Sequence, residues 1–298
     1  MNETSEDVIL PETGWRFRIA LRMSQWLRTS GRIGGLAGRF LSPLRMLIES
    51  TLLGIALPAQ IQQLVHHTYD QSVDFYDPDR YQRRDEERLF PHLRPLAKAG
   101  RMRLLDAFCG AGREAKLFAV EGWHVTAFDG NAGMIDAARQ QSADEEHRIH
   151  YLTCDFDAFE TDEPFDIVYT SLWMYSTVQT PGKRDAFLRR CLDWVSDEGV
   201  VVISIVSDRQ DHRVSAGLRF LVSRLVGLCT LGNARVQWGE RFYDGLFWHH
   251  LDDQTVRQEI TRARGTVTQV VPGDGITPNF YIFQSSTRKQ APTTERAA

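Results

Sequence analysis

Apolar residues recur along this chain in two rhythms, and their alternation lays out most of its elements. Apolar runs at 103–108, 124–129, 149–154, 165–171 and 200–206 read as buried strands bounded by glycine, proline or charged residues. Between them, 113–121, 132–141 and 183–195 place their apolar residues at helical spacing. The alternation breaks at 207–248, which reads as an insertion after the fifth strand. It resumes with a helix at 253–264 and strands at 266–271 and 279–284. Strands and helices alternating in this way predict an α/β fold, a Rossmann-like doubly wound sheet with helices on both faces.

The N-terminal region has another character. From Gly14 to Ile48 there is no acid, while Arg16, Arg18, Arg22, Arg28, Arg32, Arg39 and Arg45 accumulate. Trp15, Ile19, Met23, Trp26 and Leu27 fall on one helical face, with Arg18, Arg22 and Arg28 largely opposite. Gly31, Gly34, Gly35 and Gly38 then interrupt the helical pattern. Two readings follow for residues 14–48: a structural cap, or peripheral contact with a membrane surface or a protein. The apolar stretch Met46–Leu57 contains Glu49 and falls short of the ~20 residues that span a bilayer. The expected organisation is a basic amphipathic helical extension at 1–65, a main domain at 66–286 carrying the 207–248 insertion, and a disordered tail at 287–298.

Composition narrows the class. With 298 residues, 42% of them apolar, the chain can bury one large core plus an appendage. A net charge of −4 gives no general support for nucleic-acid binding. Cys109, Cys154, Cys191 and Cys229 have neither metal-ligand spacing nor a secreted-domain pattern, so reduced thiols and no metal are expected. The acidic start, Met1 to Asp7, is unlike a signal peptide. The expected location is cytoplasmic, with peripheral membrane association as the variant. The mixed-charge run Arg83–Arg88 reads as a solvated helix face.

The chemistry concentrates after the first strand. Gly110 and Gly112 form a turn that lets a ligand press on backbone, and the helix that follows offers free N–H donors. Asp129 ends the second strand seventeen residues past Gly112, near the spacing of a ribose-binding acid. The run Gly110-Ala111-Gly112-Arg113-Glu114-Ala115 also fits the weak dinucleotide fingerprint, so an NAD-type protein stays open. Charge discriminates better. Asp106 precedes the turn and Asp155 follows the third strand, where an anionic pyrophosphate would be repelled. Three carboxylates at adjacent strand ends suit a cationic nucleoside without phosphate, such as S-adenosylmethionine.

In these motifs, and in their order from His66 to Ser285, the chain resembles the class I S-adenosylmethionine-dependent methyltransferases. Leu104–Arg113 resembles the family's first motif, with Phe108 where glycine is usual. Phe165-Asp166-Ile167-Val168 resembles its fourth strand, and Leu188–Ile205, with Asp197-Glu198-Gly199 as a turn, its next helix and fifth strand. The resemblance implies a seven-stranded sheet whose last strand is antiparallel, and S-adenosylmethionine as cofactor. It implies cofactor contacts from Asp106, Ala107, Phe108, Gly110 and Gly112. Asp129 would hold the ribose, Asp155 and Phe156 the adenine, with Gly130 and Met134 as further cofactor contacts, Ser171 and Leu172 on the rim and Tyr76 as a lid.

The acceptor side is less marked. Trp173, Met174, Tyr175 and the aromatic segment Trp238–His250 are candidate pocket linings, although a core stripe has the same composition. His249, His250 and Tyr243 are the candidate base or acceptor-pocket residues. Ser171-Leu172-Trp173-Met174 lacks the Asn/Asp-Pro-Pro-aromatic motif of adenine amino-methyltransferases, which argues against DNA. The leading expectation is O- or N-methylation of a small organic acceptor by direct displacement. A protein or RNA acceptor, or an NAD-type Rossmann protein, stands beside it.

Overall fold

The computed structural model describes residues 15–31, 35–70, 84–98, 102–145, 148–207, 213–243, 246–273 and 277–286. In chain order these form α1 (Trp15–Gly31), α2 (Gly35–Ile55), α3 (Pro58–Asp70), α4 (Phe90–Lys98), β1 (Arg103–Ala107), α5 (Arg113–Val120), β2 (His124–Asp129) and α6 (Ala132–Gln141). There follow β3 (Ile149–Thr153), β4 (Phe165–Thr170), α7 (Pro181–Trp194), β5 (Val195–Ile205), α8 (Arg213–Thr230), β6 (Glu240–Tyr243), β7 (Leu246–His249), α9 (Asp253–Arg262), β8 (Gly265–Val271) and β9 (Asn279–Ser285). The chain divides into two compact units, 1–69 with 209–249 and 70–208 with 250–298.

The second unit holds a seven-stranded sheet in the order β3-β2-β1-β4-β5-β9-β8. β1 to β5 pair in parallel, and β9 runs antiparallel to both β5 and β8, the Rossmann-like topology expected from the sequence. Parallel strands covered on both faces read as continuous apolar runs, which is why β1, β4 and β5 were so visible. Alternate residues serve opposite faces. Leu104, Ile167, Tyr169, Val200, Val202, Phe280 and Ile282 pack with α4, α5 and α6. Leu105, Ala107, Val168, Val201, Ile203, Tyr281 and Phe283 pack with α7 and α9.

Local signals set the helix starts. Asn131 caps α6 through the Met134 amide, and Asp252 caps α9 through the Thr255 amide, at 3.0 and 2.7 Å. Thr180 caps α7, with Pro181 in the first turn. The Asp197-Glu198-Gly199 turn does not form. α7 ends at Trp194, β5 begins at Val195, and these residues are absorbed as an irregularity within β5. The space is tight: a Cβ on Gly199 would lie 2.6 Å from the Asp166 carbonyl oxygen.

A buried ion pair ties α9 to α7. The Arg184 guanidinium donates through Nε and Nη2 to the Glu259 carboxylate at 2.8–3.0 Å, and the Tyr175 hydroxyl donates to the same group. Arg184 also donates to the carbonyls of Val178 and Gln179, so the fork is nearly saturated. Burial, with the Glu259 charge beside it, raises the Tyr175 pKa well above that of a free phenol.

The first unit gathers α1, α2, α8 and the β6–β7 hairpin around Ala20, Leu27, Leu52, Leu53, Val236, Phe242 and Phe247. Its sequence pattern misled in two ways. On α1 the inward residues are Ala20, Ser24 and Leu27, while Trp15, Ile19 and Trp26 are exposed. α1 does end at Gly31 and α2 begins at Gly35, as the glycines suggest, but Gly38 is no break, since α2 runs through it and through Pro43. Gly54 instead brings two helices together, since a Cβ there would lie 2.4 Å from the Ser223 carbonyl oxygen of α8. Glu49, buried on α2, pairs with Arg219 of α8. No helix among the described residues is long and apolar enough to cross a membrane.

Removing one member of the Arg184–Glu259 pair strands a buried charge, so Glu259→Ala should destabilise the protein by about 3–5 kcal/mol in urea unfolding. Replacing an exposed residue of the same helix away from its cap, as in Gln258→Ala, should change stability by no more than ~0.5 kcal/mol.

Candidate functional site

The strand order reverses between β1 and β4, the place where open α/β sheets bind ligands beyond the carboxyl ends of their strands. β1 leaves the sheet through three left-handed residues, Phe108, Gly110 and Gly112, with φ of 62, 52 and 81°. Gly112 is required twice over, because a Cβ would also lie 2.4 Å from the Tyr151 hydroxyl. Among the described residues a Cβ on Gly110 would meet nothing within 4 Å, so on that side the turn is open to them. α5 starts at Gly112 with no side-chain cap, unlike α6, α7 and α9, which leaves its first amides to other partners.

The three carboxylates take distinct places on this rim. Asp106 is wholly buried; its Oδ1 accepts from the Ser171 hydroxyl at 2.9 Å, and its Oδ2 has no hydrogen-bond partner among the described residues. Asp129 fastens the turn, accepting from the Gly110 amide at 3.0 Å and the Asn131 amide at 2.9 Å. Asp155 is exposed at the surface beside Gly130, where a Cβ would fall 2.6 Å from its Oδ1. Met134 is buried at the start of α6, and the Ala107 carbonyl accepts the Ser171 amide at 3.0 Å.

Phe108 departs from glycine and accepts a left-handed backbone, a strain of order 1–2 kcal/mol. Its ring offsets this by stacking on Phe156 at 5.2 Å and Phe187 at 6.0 Å. Two residues expected to contact cofactor are thus joined in one aromatic stack. Leu172 packs against the core on the α4–α6 side of the sheet.

Beneath the turn lies a cluster of acids. Arg113 binds Glu86 through both terminal nitrogens at 2.8–2.9 Å and reaches Glu114 at 2.6 Å. Glu86 is fully buried, so the charge run 83–88 is not simply a solvated face. One arginine faces three carboxylates. Burial, with the Glu114 charge second, holds the Asp106 pKa well above the usual carboxylate range, although the Ser171 hydrogen bond lowers it. Burial and Glu114 raise Glu86 in the same way, against Arg113.

The acceptor-side candidates divide between the two units. His249 is buried in the β6–β7 hairpin, where its Nε2 donates to the Trp238 carbonyl at 2.8 Å. Phe242 and Phe247 of the aromatic segment belong to the core of the first unit, and Tyr175 to the ion-pair cluster above. His250 is half-buried where the chain enters the second unit. The Tyr243 side chain and all of Tyr76 lie outside the described residues. Glu86, Glu114 and Asn131 were not singled out by sequence. Asn131 carried a usable signal, an N-cap residue directly before a helical run.

Residues 104–199 match the family model of a methyltransferase domain. A ubiquinone biosynthesis O-methyltransferase of Rickettsia akari (strain Hartford) is 23% identical over 154 residues, covering 50% of this chain and 59% of the relative. A malonyl-acyl-carrier-protein O-methyltransferase of Enterobacter lignolyticus (strain SCF1) is 32% identical over 119 residues, covering 39% of this chain and 44% of the relative. The chain spans about half the length of the curated relatives it matches. Among solved structures, Burkholderia thailandensis 1,6-didemethyltoxoflavin-N1-methyltransferase, with bound 1,6-didemethyltoxoflavin and S-adenosylhomocysteine, has a TM-score of 0.53 at 17% identity. That match covers 76% of this chain and 89% of the other, and it is a likeness of fold.

A carboxyl group whose pKa is raised by folding binds its proton more tightly in the native state. Its contribution therefore falls as pH rises from the unfolded value, ~3.9, through the folded one. Asp106→Asn should then melt higher than the parent at pH values well above ~3.9, by roughly 2–4 °C. The difference should close as the pH falls toward ~3.9 in parallel calorimetric scans.

Proposed function

We propose that this chain, which belongs to the class I S-adenosylmethionine-dependent methyltransferase family, methylates a small organic acceptor at oxygen or nitrogen. The observation that carries this reading is the trio Asp106, Asp129 and Asp155, set around a left-handed glycine turn at the carboxyl ends of β1 to β3. The residues fit the cofactor on two structural grounds. Among the described residues, Asp106 Oδ2 is a buried acceptor without a partner and the space over Gly110 is open to a close approach.

When bound, S-adenosylmethionine supplies a methyl on a sulfonium whose sulfur leaves as a neutral thioether. Asp129 would accept from the ribose diol, keeping its hold on the Gly110 and Asn131 amides through its remaining lone pairs. Asp155, exposed beside Gly130, would accept from the adenine amine. Asp106 and the acid cluster behind it favour a cationic amino-acid end over a pyrophosphate, and a cation there would draw Asp106 into its ionised form. The chain's part in the chemistry is alignment and exclusion of water, with a base added when the nucleophile is a hydroxyl. A small acceptor is supported by relatives and a structural neighbour whose names state O- and N-methyl transfer.

Calorimetry should show binding of S-adenosylhomocysteine and none of NADH; the reverse preference would sink the reading. Asp129→Ala should weaken S-adenosylhomocysteine at least about tenfold, about 1.4 kcal/mol, in a variant that keeps its cooperative melt. A screen of metabolite pools for a mass gain of one methyl, dependent on S-adenosylmethionine, then identifies the acceptor.

A further inference from the structure

Helix α8 carries its apolar residues on the wrong side for a protein surrounded only by water. Its inward face, toward α2, is mostly of small residues: Ala216, Ser223 and Gly227 are buried, with Phe220 partly buried against the same core. The approach is close, since a Cβ on Gly54 of α2 would lie 2.9 Å from Val226 Cβ and 3.0 Å from the Gly227 amide nitrogen. The Ser223 hydroxyl is spent on its own helix, donating to the Arg219 carbonyl at 2.8 Å. The outward face is leucine. Leu218, Leu221, Leu225 and Leu228 are 46–59% exposed, and Leu231, just past the helix end, is 82% exposed.

Small residues at the helix contact with leucines outside is the arrangement of helices in an apolar medium, where packing cannot draw on burial from water. We propose that this leucine face seats the first unit on the surface of an anionic lipid bilayer. Charge selects that occupant. No aspartate or glutamate occurs from His212 to Gly239, while Arg213, Arg224 and Arg235 do, Arg219 being held by Glu49 of α2. The same unit has no acid from Gly14 to Ile48, and Arg18 and Arg22 of α1 are exposed. Arginines bordering an apolar stripe reach anionic headgroups while the leucines enter the acyl boundary. α8 lies on the bilayer and does not cross it, because no described helix is apolar enough to span.

A second copy of the chain fits less well. The 218, 221, 225, 228 spacing would suit a helix pair, but the five leucines expose only a few hundred Å², below the ~800 Å² per partner of a stable interface. Arg224 also stands within reach of such a seam on both copies, with no acid along α8 to answer it.

The full chain should float with vesicles containing phosphatidylglycerol, and bind pure phosphatidylcholine vesicles at least about tenfold more weakly. Raised salt should weaken the first binding. The combined variant Leu218→Gln, Leu221→Gln, Leu225→Gln and Leu228→Gln should lose at least about tenfold in vesicle affinity while keeping its melting temperature and S-adenosylhomocysteine affinity. A second readout leaves the sequence intact. Cys229 is the one exposed cysteine and lies one turn from Leu225, so an environment-sensitive dye on it should brighten with anionic vesicles. The proposal is overturned if the intact chain ignores anionic vesicles, if the glutamine variant floats like the parent, or if the dye does not respond. It is equally overturned if sedimentation shows a dimer that the glutamine variant dissociates and vesicles leave untouched.

Discussion

A carboxylate buried at the end of the central strand sets the terms for the second unit. Asp106 cannot reach water, one of its oxygens has no partner among the described residues, and the arginine nearest the turn is held by Glu86 and Glu114. Such a residue costs stability in the free protein, and it persists only where the surrounding structure leaves it no alternative. That structure is extensive. Ser171 arrives from the end of β4, Asp129 holds Gly110 from the end of β2, and the Phe108 ring locks the turn against Phe156 and Phe187. The sheet order thus brings three strand ends to one rim, and the turn fixes how their side chains face.

Most of this frame was legible in sequence because parallel strands buried on both faces leave unbroken apolar runs, and because glycine and cap residues mark where the chain must turn. β2 and α6 fall at the expected residues, His124–Asp129 and Ala132–Gln141. The failures share a cause, which is pairing between distant segments. Glu86 looked solvated because its partner Arg113 is 27 residues away, and nothing in the charge run announces that meeting. Tyr175 looked like a pocket residue because Glu259, its partner 84 residues on, is invisible from position 175. Phe108 was visible as a departure, but its compensation depends on a stack with Phe156 and Phe187 that only the fold assembles.

The first unit was harder to read for another reason. Hydrophobic periodicity assumes that the apolar face is the buried one. On α8 and α1 the buried positions are alanine, serine and glycine as often as leucine, so period alone assigns the wrong face. Gly54 and Gly227 look like helix breakers but lie within helices, where they permit backbone to approach backbone.

The direct passage from α7 into β5 has a consequence for cooperativity. Trp194 ends the helix with its ring edge-on to Phe128, Phe156 and Phe159, and the next residue already pairs with Phe165 of β4. With no linker between them, the last turn of α7 cannot fray without pulling on the middle of the sheet. Amide protons of that turn and of central β5 therefore belong to one unit of exchange, opening together and near the global limit. The junction is also a poor place to cut, extend or permute the chain, because it lacks the exposed, weakly bonded backbone that such changes require.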